Sequence, residues 1–131
     1  CPFAAHIRKT RPRADQVGAG ANSIMRSGIP YGGEVTDAEI ARATSNPALE
    51  RGLAFVGYQS VLSLGFQFIQ EKWANTPSFA PGKNETPGYD PIIGANHGSP
   101  RPFAGYNVQD QSRVLTLPLD FVVSKGGEYF F

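Results

Sequence analysis

Gly52-Leu53-Ala54-Phe55-Val56-Gly57-Tyr58-Gln59 runs directly into Ser60-Val61-Leu62-Ser63-Leu64-Gly65-Phe66-Gln67-Phe68-Ile69-Gln70-Glu71-Lys72-Trp73-Ala74-Asn75. The first eight residues are apolar and bounded by glycine, the pattern of a buried strand. In the second stretch Leu62, Phe66, Ile69 and Trp73 recur at spacings of four, three and four, which predicts an amphipathic helix over about 60–75. Downstream, Val114 to Val123 and Glu128 to Phe131 flank Ser124-Lys125-Gly126-Gly127, a hairpin signal, with Pro118 marking a bulge or an edge. A strand, a helix and then a hairpin, with no βαβ alternation, predict an α+β domain.

The flanking segments are poorer in regular structure. Residues 1–33 are basic and irregular: Arg8, Lys9, Arg11, Arg13 and Arg26 face only Asp15, and Pro12, Gly18, Gly20, Gly28 and Pro30 argue against long helices. Thr36-x-x-Glu39 is a capping box opening a short helix through about Ala43. Residues 76–112 carry Pro77, Pro81, Gly82, Pro87, Gly88, Pro100 and Pro102, the turn signals of a long excursion. There is no internal repeat.

Composition bounds the function classes. The chain has 131 residues, 40% of them hydrophobic, and a net charge of +1. That length predicts one domain. The weak charge argues against a dedicated nucleic-acid or membrane-surface protein, and no apolar run approaches the roughly 18–20 residues of a membrane helix. The first residue is a cysteine and the last two are Phe130-Phe131, which reads as a piece of a longer protein. The single cysteine allows no disulfide within the chain; it either pairs outside the segment or stays a buried thiol, the second being the expectation. Asn84-Glu85-Thr86 matches the N-glycosylation pattern, with Pro87 weakening it as an acceptor.

Two short runs carry chemistry. In Cys1-Pro2-Phe3-Ala4-Ala5-His6-Ile7-Arg8-Lys9-Thr10, three apolar residues precede His6 and cations follow it. A neutral imidazole there has two readings: an ordinary structural histidine, or the nitrogen ligand of a haem iron. In the second reading the cations pair with carboxylates of the ligand; otherwise they form a solvated loop. Twenty residues later, Ile24-Met25-Arg26-Ser27-Gly28-Ile29-Pro30-Tyr31-Gly32 offers an arginine able to polarise a bound peroxide. His97 lacks a partner at ligand spacing and reads as a surface residue.

Five separated blocks, CPFAAHIRKTRPR, IMRSGIPYG, RGLAFVGYQSVLSLGFQFIQEKWAN, PGYDPIIG and GGEYFF, resemble the C-terminal half of dye-decolourising haem peroxidases of the fungal, secreted kind. The resemblance covers nearly the whole chain, in order. It implies an α+β fold of the ferredoxin-like, dimeric α+β-barrel type. Residues 1–131 are then the C-terminal haem-binding domain, a partial domain of a two-domain peroxidase. It implies haem b, hydrogen peroxide, and dyes, phenolics and other bulky donors as reaction partners, and an extracellular enzyme. By the same resemblance His6 is the proximal iron ligand, Arg8 a haem-binding residue, Arg26 the distal arginine, and Leu53 and Phe55 the apolar distal wall. Asp90 stands where the family places the acceptor of the histidine's other N–H; an Asx turn before Pro91 is the competing reading. Tyr31 and Trp73 match residues that relay electrons from bulky donors, core packing being the other reading for Trp73. The family's Gly-x-x-Asp-Gly motif, whose aspartate takes the peroxide proton, does not occur here; it belongs to an N-terminal half. A non-catalytic haem-binding module on the same fold is the alternative function.

Overall fold

Pro30 sits inside a β-strand, at a position where the sequence reads as irregular. The computed structural model describes residues 1–130, and in it β1 (Met25–Gly32) pairs antiparallel with β2 (Arg51–Tyr58). Proline has no N–H to give a ladder, so it is confined to strands with an open edge. β1 has such an edge, because this sheet has two strands among the described residues. The β2 prediction holds to within a residue at each end, but its burial does not. Every β2 residue after Arg51 is exposed among the described residues, because a lone two-stranded ribbon has two faces and neither lies between layers.

Between the two strands, Thr36 caps α2 (Asp37–Arg42) as predicted. The Thr36 hydroxyl accepts the Glu39 N–H, and the Glu39 carboxylate accepts the Thr36 N–H at 2.9 Å. Glu39 also accepts the Asn46 N–H at 2.6 Å and pairs with Arg51 at 3.1 Å, so one buried carboxylate ties the helix, its following loop and the start of β2 together. Those bonds, first the ones from the Asn46 and Thr36 backbones, pull its pKa down to about 2. Residues Ile24–Tyr58 make up one compact unit.

The second unit comprises Cys1–Ser23 and the chain from Gln59 on. It opens with α1 (His6–Thr10), the short helix on which the candidate ligand lies. The predicted helix over 60–75 is there in pieces: a 3₁₀ turn at Leu62–Leu64, α3 (Phe66–Phe68) and a π-helical turn at Ile69–Ala74. Gly65 breaks it. Its backbone (φ −89°, ψ −133°) is not helical, and the side-chain oxygen of Gln59 accepts the Phe66 N–H at 2.7 Å, starting the helix afresh. The π turn closes with a bond from the Asn75 N–H to the Gln70 carbonyl at 2.9 Å. Of the predicted stripe, Ile69 and Trp73 are buried and Phe66 is exposed.

The long excursion is mostly loop, but it contains β3 (Arg101–Phe103), which pairs antiparallel with β4 (Leu115–Leu117). The expected C-terminal hairpin is therefore not the pairing adopted. Pro118 ends β4 where the predicted arm was to continue, and residues 124–130 form no strand. Phe131, the last residue of the predicted second arm, lies outside the described residues. Cys1 is exposed, against the expected buried thiol, because it precedes the first packed turn. The core of this unit joins Ala4, Ile69, Trp73, Ala74, Phe79, Ala80, Phe103 and Ala104. No helix is long and apolar enough to cross a membrane among the described residues.

Candidate functional site

His6 is the first residue of α1, and its Nδ1 lies 2.8 Å from Asp90 Oδ2, across 84 positions of sequence. A carboxylate only accepts, so Nδ1 is the donor of this bond; in the neutral tautomer that this selects, the lone pair lies on Nε2. The histidine side chain is 39% exposed while that of Asp90 is fully buried. Nδ1 is thus committed to Asp90, and Nε2 is the ring nitrogen left outside that bond.

Asp90 is fixed from several sides. Its Oδ1 accepts the N–H groups of Ile92 at 2.8 Å and Ile93 at 2.9 Å. That is the Asx turn before proline, so the two sequence readings of Asp90 coexist: one oxygen builds the turn and the other holds His6. Its backbone N–H donates to the Ala74 carbonyl at 2.9 Å, at the end of the π turn. Two glycines make the close approach possible. Gly88 sits at φ +99°, and a Cβ there would lie 2.3 Å from the Pro102 carbonyl oxygen. A Cβ on Gly94 would lie 2.5 Å from the Asp90 carbonyl oxygen.

The cations after His6 do not act alike. Arg8 forms a bidentate pair with Asp15, at 2.8 Å and 3.0 Å, and Lys83 joins at 2.7 Å. The Arg8 hydrogen bond, before all else, holds the Asp15 carboxyl well below the usual range, and in return Asp15 raises Arg8. Lys9 is fully buried, against the reading of a solvated or ligand-facing cation. Its ammonium donates to the carbonyls of Thr76, at 2.7 Å, and Phe79. Burial pushes its pKa down to about 8, with the nearby Asp90 charge opposing the shift. Arg8, Arg11 and Arg13 line an open cleft beside α1.

Trp73 is buried, stacked on Phe79 with centroids 4.9 Å apart and planes 4° from parallel, and met edge-on by Phe68 at 5.6 Å. Packing therefore accounts for its position, and a relay role must work through this stack.

The remaining predicted residues lie on the hairpin of the other unit. Register places Arg26 opposite Gly57, Gly28 opposite Phe55 and Pro30 opposite Leu53. Side chains alternate between faces along a strand, so Arg26, Leu53 and Phe55 share one face. Tyr31 stands on the opposite face, paired with Gly52, where a Cβ would come within 2.8 Å of its hydroxyl. Tyr31 is 45% exposed. His97 is exposed as expected, at φ +50°.

Sequence reasoning missed Arg101. It is buried and donates to three carbonyls of the turn that carries Asp90. The signal available was an arginine held between two prolines in an apolar strand, Pro100-Arg101-Pro102-Phe103.

Among the described residues no group of three or more His, Cys, Asp or Glu forms a chelating cluster. A metal supplied inside a macrocycle needs only one protein nitrogen, and that is what His6 and Asp90 offer. The donor set accordingly fits haem. An α+β domain with a carboxylate-braced histidine points to a class, proteins in which one such histidine would hold a haem.

Comparison narrows the class to a family. The family description that matches, over residues 1–81, is the Dyp-type peroxidase, C-terminal. The chain belongs to that family. It is 61% identical, over its whole length, to a dye-decolorizing peroxidase of Exidia glandulosa, and 59% identical to one of Auricularia auricula-judae. It spans 25% and 27% of the lengths of these relatives. A crystal structure of the Auricularia decolorizing peroxidase superposes with a TM-score of 0.88 at 56% identity, covering 97% of this chain and 30% of that one. The fold class is thus α+β, ferredoxin-like, and the family is one of haem enzymes.

Proposed function

We propose that residues 1–131 form the C-terminal haem-binding domain of a dye-decolourising peroxidase. In this reading the complete enzyme is secreted, carries haem b and uses hydrogen peroxide to oxidise dyes, phenolics and other bulky donors. The observation that carries the reading is the 2.8 Å bond between His6 Nδ1 and Asp90 Oδ2. Bound haem supplies two-electron reduction of peroxide and one-electron oxidation of donors.

The chain's own residues have separable tasks. His6 holds the iron through Nε2. Asp90 keeps the Nδ1 proton, fixes the ring and raises the basicity of the ligand. Arg26, always protonated, offers N–H donors to the peroxide oxygens as negative charge develops, with Leu53 and Phe55 on the same face to exclude water. The arginines lining the cleft beside α1 supply positive charge for the propionates, and Arg8 does so only as a member of its Asp15 pair. Tyr31, exposed on the far face, and Trp73, inside its aromatic stack, take electrons from donors too large to reach the haem. The N-terminal half of the same protein provides the proton acceptor.

Replacing His6 by alanine in the complete protein is the test. The expected outcome is loss of the haem Soret band and of peroxide-dependent dye bleaching. A variant that keeps both at the parent position and rate would sink the assignment.

A further inference from the structure

Arg101 is 1% exposed, and its guanidinium carries N–H donors and no acceptor. Its Nη1 donates to the carbonyls of Asp90 at 3.1 Å, Pro91 at 3.2 Å and Gly94 at 3.0 Å. Its Nη2 donates to the Leu119 carbonyl at 2.6 Å, and Asp120 Oδ1 lies 3.1 Å from its Nε as an ion pair without a hydrogen bond. The guanidinium therefore bolts the 90–94 turn to the segment after β4. That turn has one charged side chain, Asp90, and both of its carboxylate oxygens are committed, Oδ1 to the Ile92 and Ile93 amides and Oδ2 to His6.

We propose that Arg101 is a positioning residue for the axial ligand: it sets the place of the Asp90 turn and thereby the strength of the Asp90–His6 hydrogen bond. The proposal rests on His6 being the haem ligand. The physics is that of a rigid fork. The two terminal nitrogens of one planar group fix four carbonyls relative to one another, with the Asp120 carboxylate beside Nε, and a lysine, with one flexible ammonium, cannot reproduce them. A bond of 2.8 Å between a buried carboxylate and an imidazole weakens when its acceptor drifts by a few tenths of an ångström. Electron donation from the histidine to iron follows that bond.

The experiment uses the complete, haem-loaded protein and the iron–histidine stretching band of its reduced form. Asp90→Asn sets the scale by replacing the charged acceptor with a neutral one, and should move the band to lower frequency. Arg101→Lys and Asp120→Asn are each expected to move it part of the way in the same direction, and to move it no further once Asp90→Asn is present. Amide exchange at Ile92 and Ile93 should become about tenfold faster in both variants as the turn loosens. If Asp90→Asn moves the band while neither Arg101→Lys nor Asp120→Asn does, the role of Arg101 is overturned and that of His6 stands. If Asp90→Asn itself leaves the band in place, the His6 reading falls instead. A shift from Arg101→Lys that is equal with and without Asp90 overturns action through Asp90. Should Arg101→Lys fail to fold, Asp120→Asn decides, since its side chain is 28% exposed and its loss leaves all four carbonyl contacts in place.

Discussion

Lys9 keeps its charge where water is excluded, and this makes one residue readable in a stability measurement. Its pKa is about 8 in the folded chain against an ordinary 10.5, with burial as the leading cause. Between those two values the unfolded chain binds more protons than the folded one, so Lys9 makes stability rise with pH from about 8 to about 10.5. Below 8 both states are protonated and its contribution is constant. Lys9→Met removes the titration and leaves the Phe79 carbonyl without its Lys9 donor, while the Thr76 carbonyl still accepts the Phe79 N–H at 3.1 Å. The variant should be less stable at pH 7, by about 1–3 kcal/mol for an unpaired buried group. Urea midpoints of both proteins across pH 7–10.5 check this, because the other titrating groups cancel in the difference. A difference that is flat in pH would mean that Lys9 does not carry its charge into the interior. Lys9 also shows where sequence reading ends at this scale. The basic run after His6 is plain in the sequence, but which cation goes inward depends on the Thr76 and Phe79 carbonyls, about seventy positions away. For Asp90, the local signal Gly88-Tyr89-Asp90-Pro91 reaches only the Asx turn, and the bond to His6 was expected from the family resemblance alone.

At the scale of elements, what is local in cause was legible. The capping box at Thr36 and Glu39 is there because it needs four consecutive residues and nothing else. The helix over 60–75 follows its period only in part, since periodicity does not register a Gln59 side chain that restarts the helix after Gly65. β1 was hidden by Gly28 and Pro30, residues that weaken strands on average yet are tolerated on a two-stranded ribbon. The partner of β4 was misread because strand pairing is decided by non-local contacts, and Pro118 cuts the nearer alternative short. The β1–β2 register then separates by face the residues of two proposed roles. Arg26 shares its face with Leu53 and Phe55, while Tyr31 lies on the other. Arg26→Leu in the complete enzyme should slow peroxide consumption with every donor, by about a hundredfold, the loss of about 3 kcal/mol of charge stabilisation. Tyr31→Phe should lower turnover of a bulky dye and spare a small donor. Steady-state rates with one large and one small donor distinguish the two, and equal losses in Tyr31→Phe would reduce that residue to packing.

At the scale of the molecule, the chain supplies the proposed histidine ligand with its braces and only part of the proposed peroxide side. His6, Asp90 and Arg101 are joined within this sequence: Asp90 Oδ2 accepts from His6 Nδ1, and the Asp90 carbonyl accepts from Arg101 Nη1. The peroxide side has Arg26, which can stabilise charge but cannot accept a proton at any working pH. The proposed aspartate of the Gly-x-x-Asp-Gly motif is not in these 131 residues, and the relatives this chain matches are about four times its length. The two functions should therefore separate. Residues 1–131, produced alone and given haem, are expected to bind it through His6 and to show an axial-histidine spectrum, yet to bleach dye in the presence of peroxide at a small fraction of the rate of the complete protein. General acid–base catalysis is worth about 10²–10⁴-fold, so its loss alone leaves about one per cent of the rate or less. Adding the rest of the protein as a separate chain should restore turnover where it restores the proton acceptor, and a version of that chain with the motif aspartate changed to asparagine should not. A fully active preparation of residues 1–131 alone would place the acceptor inside this sequence and overturn the division of labour.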